Sequence, residues 1–484
     1  MEGRMQEYKL FINGEWVPAR DGKIRENRSP ATGEPFARYN EGGREDLLVA
    51  IAAADEAFRT WRNTLAKDRE KYLVAAADHL EANMPSYVDV LINEGGSPWG
   101  KAMFETSFVT NMLRSAAGEC RRIFGETMPA DSPGMLSMSM RRPLGVIGAI
   151  APFNFPLLLA MKKVCMAIAA GNTVVLKPAG ATAVVGLKIA EIFKAVDLPA
   201  GVVNVVPAPG SVTGDIFTSD PRVKLITFTG STAVGRLIAG KAGENLKKIT
   251  LELGGKSPLI VLNDADLDYA VDTAAFSVFL NQGQICMAGS RVVVEDEVYD
   301  EFLEKLVAKV GTLKVGDPRE QDTVIGPLIT REQCEFIAGQ IDDAKAKGAK
   351  VHTGGTYDRQ YFQPTVLSDV TPDMSVYYEE SFGPVVSVYR VEDAEEALEK
   401  ANDTPYGLSA ALITNDFQRA MDLSMRLDAG MVHINHSTAY DEPHVPFGGV
   451  KDSGTGREGG HHSMEEMTEL KWVTMQLGQR HYPF

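Results

Sequence analysis

The sequence predicts an α/β protein built on parallel β-sheet. Two observations carry that expectation. Between residues 144 and 262, short apolar runs alternate with stretches of helical spacing, and a second series of the same kind follows from Leu259 to about residue 390. The 484 residues suffice for two or three domains, and no internal repeat or low-complexity linker interrupts them, so the domains are expected to pack tightly.

Residues 8–17 alternate as a short strand pair, with Asn13-Gly14 as the hairpin turn. Residues 44–62 and 67–94 space apolar side chains three and four apart, which predicts amphipathic helices, and 98–118 continues as helix. In 121–142 the turn Asp131-Ser132-Pro133-Gly134 separates two extended runs. Leu136, Met138 and Met140 alternate there with Ser137, Ser139 and Arg141, predicting a protruding hairpin with one apolar face. Another strand-like run, ELKWVTMQ, lies in the last twenty residues. Two half-apolar ribbons at separate places point to a subunit interface.

Residues 143–161 carry no charge and have the length of a membrane span, but Pro143, Pro152 and Pro156 break them and Asn154 is polar. They are read as a buried strand near 144–150, a turn, and a helix starting near Pro156. Strands at Thr173–Lys177, Val202–Val206 and Leu225–Thr229 then alternate with helices at 182–195 and 232–242. The second series has a strand at Leu259–Leu262, helices at 266–281, 298–310 and 331–347, and strands near 365–368 and 384–390.

The net charge of −16 argues against a nucleic-acid binder, which would carry a basic face. Cys120, Cys165, Cys286 and Cys334 are far apart with no CxxC, which predicts free thiols and a cytoplasmic, reducing setting. The start, MEGRMQEYKL, lacks the apolar core of a signal peptide, and Met5 is an alternative start. The eight histidines form no HExxH, and His433-x-x-His436 and His461-His462 are read as surface or packing residues, so no metal is expected.

Cys286, in NQGQIC, and Glu252, in LELGGK, are a candidate nucleophile and base. A thiolate attacks a carbonyl and a separate carboxylate activates water against the resulting thioester. Asn154 lies between Pro152 and Pro156, which restrict its backbone; alone it reads first as a helix N-cap, and its amide also suits an oxyanion. Phe228-Thr229-Gly230-Ser231-Thr232-Ala233-Val234-Gly235 follows a strand and opens a helix, as a phosphate cradle or simply a tight turn. Lys177 ends a buried strand at the sheet edge where ligands bind. EESFGPV alone reads as an ordinary loop, or as one whose Glu380 would suit a ribose and whose Phe382 would suit a nicotinamide ring.

PFNFP, VLKPA, FTGSTAVG, LELGGKSP, NQGQICMAGSR, EESFGPV and PFGGVKDSGTGRE occur in this order. Together they resemble the NAD(P)-dependent aldehyde dehydrogenase superfamily over nearly all of residues 8–484. The resemblance implies two Rossmann-like parallel-sheet domains and a bridging β oligomerisation element. Coenzyme-binding segments are expected at 1–120 and 143–250, a catalytic domain at 251–465, and the bridge at 121–142 and 466–484. It implies Cys286 as nucleophile, Glu252 as general base, Asn154 with the Cys286 backbone N–H as oxyanion hole, and Lys163 and Glu458 as a proton relay. Lys177, Gly230, Ser231, Gly235, Glu380, Phe382 and Phe153 fall at the coenzyme site, for NAD or NADP. A homodimer or homotetramer follows by analogy.

Gly180 stands where many NAD-preferring relatives carry an acid that repels a 2′-phosphate, so NADP is expected to be tolerated. The run from His433 to Phe447 resembles that of benzaldehyde and vanillin dehydrogenases. Phe155, Leu159, Tyr440 and Phe447 are the expected aromatic-aldehyde pocket, although Phe155 and Leu159, four apart, suit a helix's core face equally well. The rivals are an aliphatic or succinic-semialdehyde enzyme, for which no cation aimed at a second carboxylate stands out, a CoA-acylating enzyme, which often lacks the base, and a non-catalytic binding relative.

Overall fold

In the computed structural model, which describes residues 5–484, two large sheets share the chain. Whether Met1–Arg4 belong to the natural chain lies outside the described residues. The first sheet runs Gly454–Thr455, Lys248–Glu252, Val223–Thr229, Val146–Ile150, Thr173–Lys177, Val203–Val205, Leu10–Ile12 and Glu15–Val17. Its five central strands, from Lys248–Glu252 to Val203–Val205, are parallel. Val146–Ile150 is buried at every position, as a strand covered on both faces must be. Leu10–Ile12 and Glu15–Val17 form the expected hairpin, and Asn13 and Gly14 both adopt positive φ (52° and 80°), as a two-residue turn of this hand requires.

The order of the first sheet reverses between Val146–Ile150 and Val223–Thr229. Ligands of open parallel sheets bind outside the carboxyl ends of strands at such a switch. The second sheet runs Lys350–Thr353, Thr365–Ser368, Val385–Val391, Arg291–Glu295, Pro258–Val261, Ser409–Ile413 and Met431–Ile434, all parallel except the first.

The helix Pro156–Ala170 is buried along its whole length, including Lys162 and Lys163. That explains its uncharged approach: it is a central packing element, apolar on most sides. No helix among the described residues is long and apolar enough to cross a membrane.

The helix expected over 67–94 is two, Ala66–Ala82 and Met84–Gly95, because Pro85 sits in the first turn of the second. The two apolar ribbons pair with each other: Thr468–Gln476 runs antiparallel along all of Met135–Pro143. Their polarity is the reverse of a core pattern. Ser137 and Ser139 are buried, accepting hydrogen bonds from Trp472 Nε1 (2.9 Å) and the Glu126 N–H (2.9 Å), while Met140, Leu470 and Trp472 face outward.

Candidate active site

Four parallel strands of the first sheet deliver candidate residues to one edge. Val146–Ile150 leads to Asn154, Thr173–Lys177 ends on Lys177, Val223–Thr229 leads to Gly230 and Ser231, and Lys248–Glu252 ends on Glu252. The second sheet contributes Cys286, on the loop between the helix Leu267–Phe279 and the strand Arg291–Glu295.

That loop is tightly constrained. Asn281, Gln282 and Gly283 are consecutive residues of positive φ (52°, 57° and 70°). Such backbone is costly outside glycine and persists only where its surroundings hold it. Here Gln282 Nε2 donates to the Pro327 carbonyl (3.1 Å) and Asn281 Nδ2 to the Asn154 carbonyl (3.1 Å). On the far side, a Cβ on Gly255 would overlap the Cys286 carbonyl oxygen, so only glycine lets the two turns meet.

Cys286, Asn154, Phe155, Leu159, Tyr440 and Phe447 line one cavity of about 960 Å³. Cys286 opens partly onto it, although protein surrounds the sulfur on its other sides. Burial, then the charges of Glu380 and Glu252, push the thiol pKa well up. A thiol so placed must lose its proton before it can act as a nucleophile. Asn154 Nδ2 donates to the Gln284 carbonyl (3.0 Å), and a primary amide has a second N–H to offer. Tyr440 donates through its hydroxyl to Glu442 at the exposed rim.

Glu252 is buried, and neither carboxylate oxygen has a hydrogen-bond partner among the described residues. Burial first, then the Glu458 charge, raise its pKa well above the ordinary range. Glu458 lies in a different balance. Burial works against its charge, but Lys163 and Lys162 overcome that and hold its pKa below the usual value. Lys163 Nζ reaches Glu458 Oε1 at 2.5 Å and Thr227 Oγ1 at 3.1 Å, and the Thr227 hydroxyl donates to the same Glu458 oxygen at 2.9 Å. The second Glu458 oxygen is unpartnered. Burial and charge thus push the two carboxyl groups in opposite directions, Glu252 up and Glu458 down.

A dinucleotide fits the remaining edge. Lys177 is half-buried with no carboxylate partner among the described residues, and burial lowers its pKa. Ser231 is the N-cap of the helix Thr232–Glu244, and its hydroxyl makes no capping bond, leaving it and the helix N-terminus free for an anion. Glu380 accepts from the Gly255 N–H (3.1 Å), and burial raises its pKa to about 7. Phe382, at φ 50°, sets its ring edge-on against Phe153, centroids 5.8 Å apart. Gly230 and Gly235 meet packing demands as well: a Cβ on them would overlap the Phe228 ring and the Leu253 side chain.

Sequence reasoning missed the side chains that hold these groups in place. Lys256 Nζ donates to the Glu379 carbonyl (2.7 Å), tying the Glu380 loop to the turn after Glu252. Lys162 pairs with Asp441 (2.7 Å) and sits 4.1 Å from the centre of the Phe447 ring. Lys101 and Glu105, buried beside Asn154, read in sequence as an ordinary helix-surface pair four residues apart. Among the described residues no three His, Cys, Asp or Glu side chains gather as a metal site, and His436 packs on Tyr440 with ring centres 4.3 Å apart.

Comparison with known proteins places this geometry among relatives. The sequence profile of the aldehyde dehydrogenase family matches residues 16–473. The chain is 43% identical to a vanillin dehydrogenase from Pseudomonas fluorescens over 482 residues, covering 99% of this chain and all of that one. It is 40% identical to a benzaldehyde dehydrogenase [NAD(+)] from Pseudomonas putida over 479 residues, covering 99% of this chain and 98% of that one. The crystal structure of a salicylaldehyde dehydrogenase from Pseudomonas putida G7, complexed with salicylaldehyde, superposes with a TM-score of 0.97 at 39% identity, covering 99% of this chain and all of that one.

Proposed function

The chain belongs to the aldehyde dehydrogenase family, and we propose that it oxidises aromatic aldehydes to carboxylic acids with a nicotinamide dinucleotide, through Cys286. The observation that carries the aromatic reading is the cavity. Phe155, Leu159, Phe279 and Phe447 line it together with Cys286 and Asn154. The lysines that line it are paired, Lys101 with Glu105 (2.5 Å) and Lys309 with Asp272 (2.7 Å), so among the described residues none of its lining cations stands unpaired for the second carboxylate of a dicarboxylic semialdehyde. The relatives named for vanillin, benzaldehyde and salicylaldehyde support the same choice.

Each residue has a part that its surroundings allow. Cys286 Sγ attacks the aldehyde carbon as its proton passes to Glu252, whose basicity burial raises. The free Asn154 N–H and the Cys286 backbone N–H receive the oxyanion. Lys177, Ser231 and Glu380 would hold a dinucleotide, and the paired Phe382 and Phe153 rings would offer an apolar wall beside it. When bound, it accepts the aldehyde hydrogen as hydride, leaving the acyl group on Cys286 as a thioester. Glu252 first passes the thiol's proton on by way of Glu458 and Lys163; the freed carboxylate then takes a proton from water, and the hydroxide displaces Cys286 as thiolate, releasing the carboxylic acid. The presence of this base separates the chain from a CoA-acylating enzyme.

Gly180 supports use of NADP alongside NAD. A Cβ there would come 3.4 Å from the Tyr39 hydroxyl, and no acid occupies the position to repel a 2′-phosphate. The sheet that ends on Lys177 and leads to Ser231 serves as the coenzyme domain, and the one whose strands flank Cys286 in sequence as the catalytic domain. The outward Met140, Leu470 and Trp472 suit a homodimer or homotetramer, and the four free thiols suit the cytoplasm.

Steady-state kinetics with benzaldehyde, vanillin, succinic semialdehyde and hexanal, each with NAD and NADP, test the reading. The expected result is a kcat/KM for the aromatic aldehydes at least about tenfold above the others, a difference of roughly 1.4 kcal/mol in transition-state binding. A preference for succinic semialdehyde sinks it.

A further inference from the structure

We propose that the buried pair Lys101–Glu105 is the positioning device for Asn154, holding its amide where the oxygen of an aldehyde bound to Cys286 forms. The inference rests on the reading of Asn154 as an oxyanion donor and goes beyond it by naming what aims that donor.

Lys101 and Glu105 lie on the helix Trp99–Glu119, outside every motif of the family resemblance. Both side chains are essentially without solvent exposure, at 2% and 0%. Lys101 Nζ donates to Glu105 Oε2 (2.5 Å), to Ser97 Oγ (3.0 Å) and to the backbone carbonyl of Asn154 itself (2.8 Å). A lysine has three N–H donors, so all are spent. That rules out Lys101 as a hook for a substrate carboxylate, although it borders the cavity.

The other Glu105 oxygen accepts from the backbone N–H groups of Leu157 (2.8 Å) and Leu158 (3.0 Å). These are donors of the first helical turn, which otherwise lack partners. The phenyl ring of Phe155 lies 4.3 Å from Lys101 Nζ. Two side chains thus grip the segment on both sides of Pro156, and Asn154 carries the first of the two grips on its own carbonyl. Its own Nδ2 is pinned by the Gln284 carbonyl, two residues before Cys286. With carbonyl and amide both anchored, the remaining N–H has one direction to point.

A purely structural reason for the pair is weak. A buried ion pair is commonly no more stabilising than apolar residues of the same volume. Placing its third hydrogen bond on the Asn154 carbonyl gives it a use that apolar packing does not supply.

The test is a mutant cycle on the full-length enzyme with benzaldehyde and NAD. Lys101→Met alone strands a buried carboxylate, so the working variant is Lys101→Met with Glu105→Gln, whose amide oxygen still accepts from Leu157 and Leu158. Its thermal unfolding midpoint reports folding. Expected are a kcat lower by about tenfold or more, an aldehyde KM within about twofold, and loss of the rapid first-turnover burst of NADH, as misplacement of a catalytic group by an ångström can cost ~10² in rate. The same pair of changes placed on Asn154→Ala should cost nothing further, and Lys101→Arg should recover most of the rate. A folded variant with unchanged kcat overturns the proposal, and so does an equal additional loss on top of Asn154→Ala. If Asn154→Ala alone leaves kcat intact, the oxyanion assignment falls first and takes this inference with it.

Discussion

Glu252 shows what one residue costs and supplies. Its carboxylate is buried, has no partner among the described residues, and faces the Glu458 charge. An ionised group so placed destabilises the fold. Since burial raises its native pKa, the penalty is absent below the ordinary carboxylate range, where the folded and unfolded chains are both protonated. It grows as pH climbs from that range to the raised native value. Glu252→Gln should therefore raise Tm more at pH 8 than at pH 5, the added stability at pH 8 being on the order of 1–3 kcal/mol. It should also lower kcat by about 10²–10⁴ and flatten the rise of kcat with pH. Calorimetry and a pH–rate profile check both, and a Tm gain equal at the two pH values contradicts the account. The identities of Cys286, Glu252 and Asn154 were legible because their neighbours in sequence form motifs. The Lys162–Asp441 pair was not, because its partners stand 279 residues apart and each alone reads as a surface charge.

At the level of elements, the site depends on how closely turns approach. The loop bearing Cys286 fits against the turn after Lys248–Glu252 because Gly255 has no side chain. Gly255→Ala should push that loop away, lowering kcat by roughly 10²-fold through misplacement of the nucleophile. The overpacking should cost ~1–3 kcal/mol of stability. Stopped-flow acylation and thermal unfolding measure the two, and unchanged acylation speaks against the contact. The parallel strands were readable because full burial leaves near-continuous runs such as Val146–Ile150. Strands such as Lys248–Glu252 and Ser409–Ile413 escaped because charge, or short side chains such as Ser409 and Ala410, hide the pattern until neighbouring strands cover them. The break at Pro85 was in plain view, but the helical spacing on either side obscured it.

Across the whole molecule, the sheet of Thr468–Gln476, Met135–Pro143 and Thr127–Met128 turns its serines inward and its large apolar side chains outward. Leu470 and Trp472 are 61% and 70% exposed. Large apolar surface of this kind marks an interface. Leu470→Glu with Trp472→Glu should lower the subunit number measured by light scattering, and an unchanged mass would place the interface elsewhere. The sequence showed two ribbons and their apolar side chains, but not that they pair with each other, since nothing local encodes a register between residues more than 300 positions apart.

The buried helix Pro156–Ala170 has a consequence for how the protein is made. Lys162 and Lys163 meet their carboxylates only at Asp441 and Glu458, 279 and 295 residues later. Two ammonium groups without counter-ions resist entry into an apolar interior by several kcal/mol each. That cost is expected to delay burial of the helix during synthesis until residues 441 and 458 have been made and reach it.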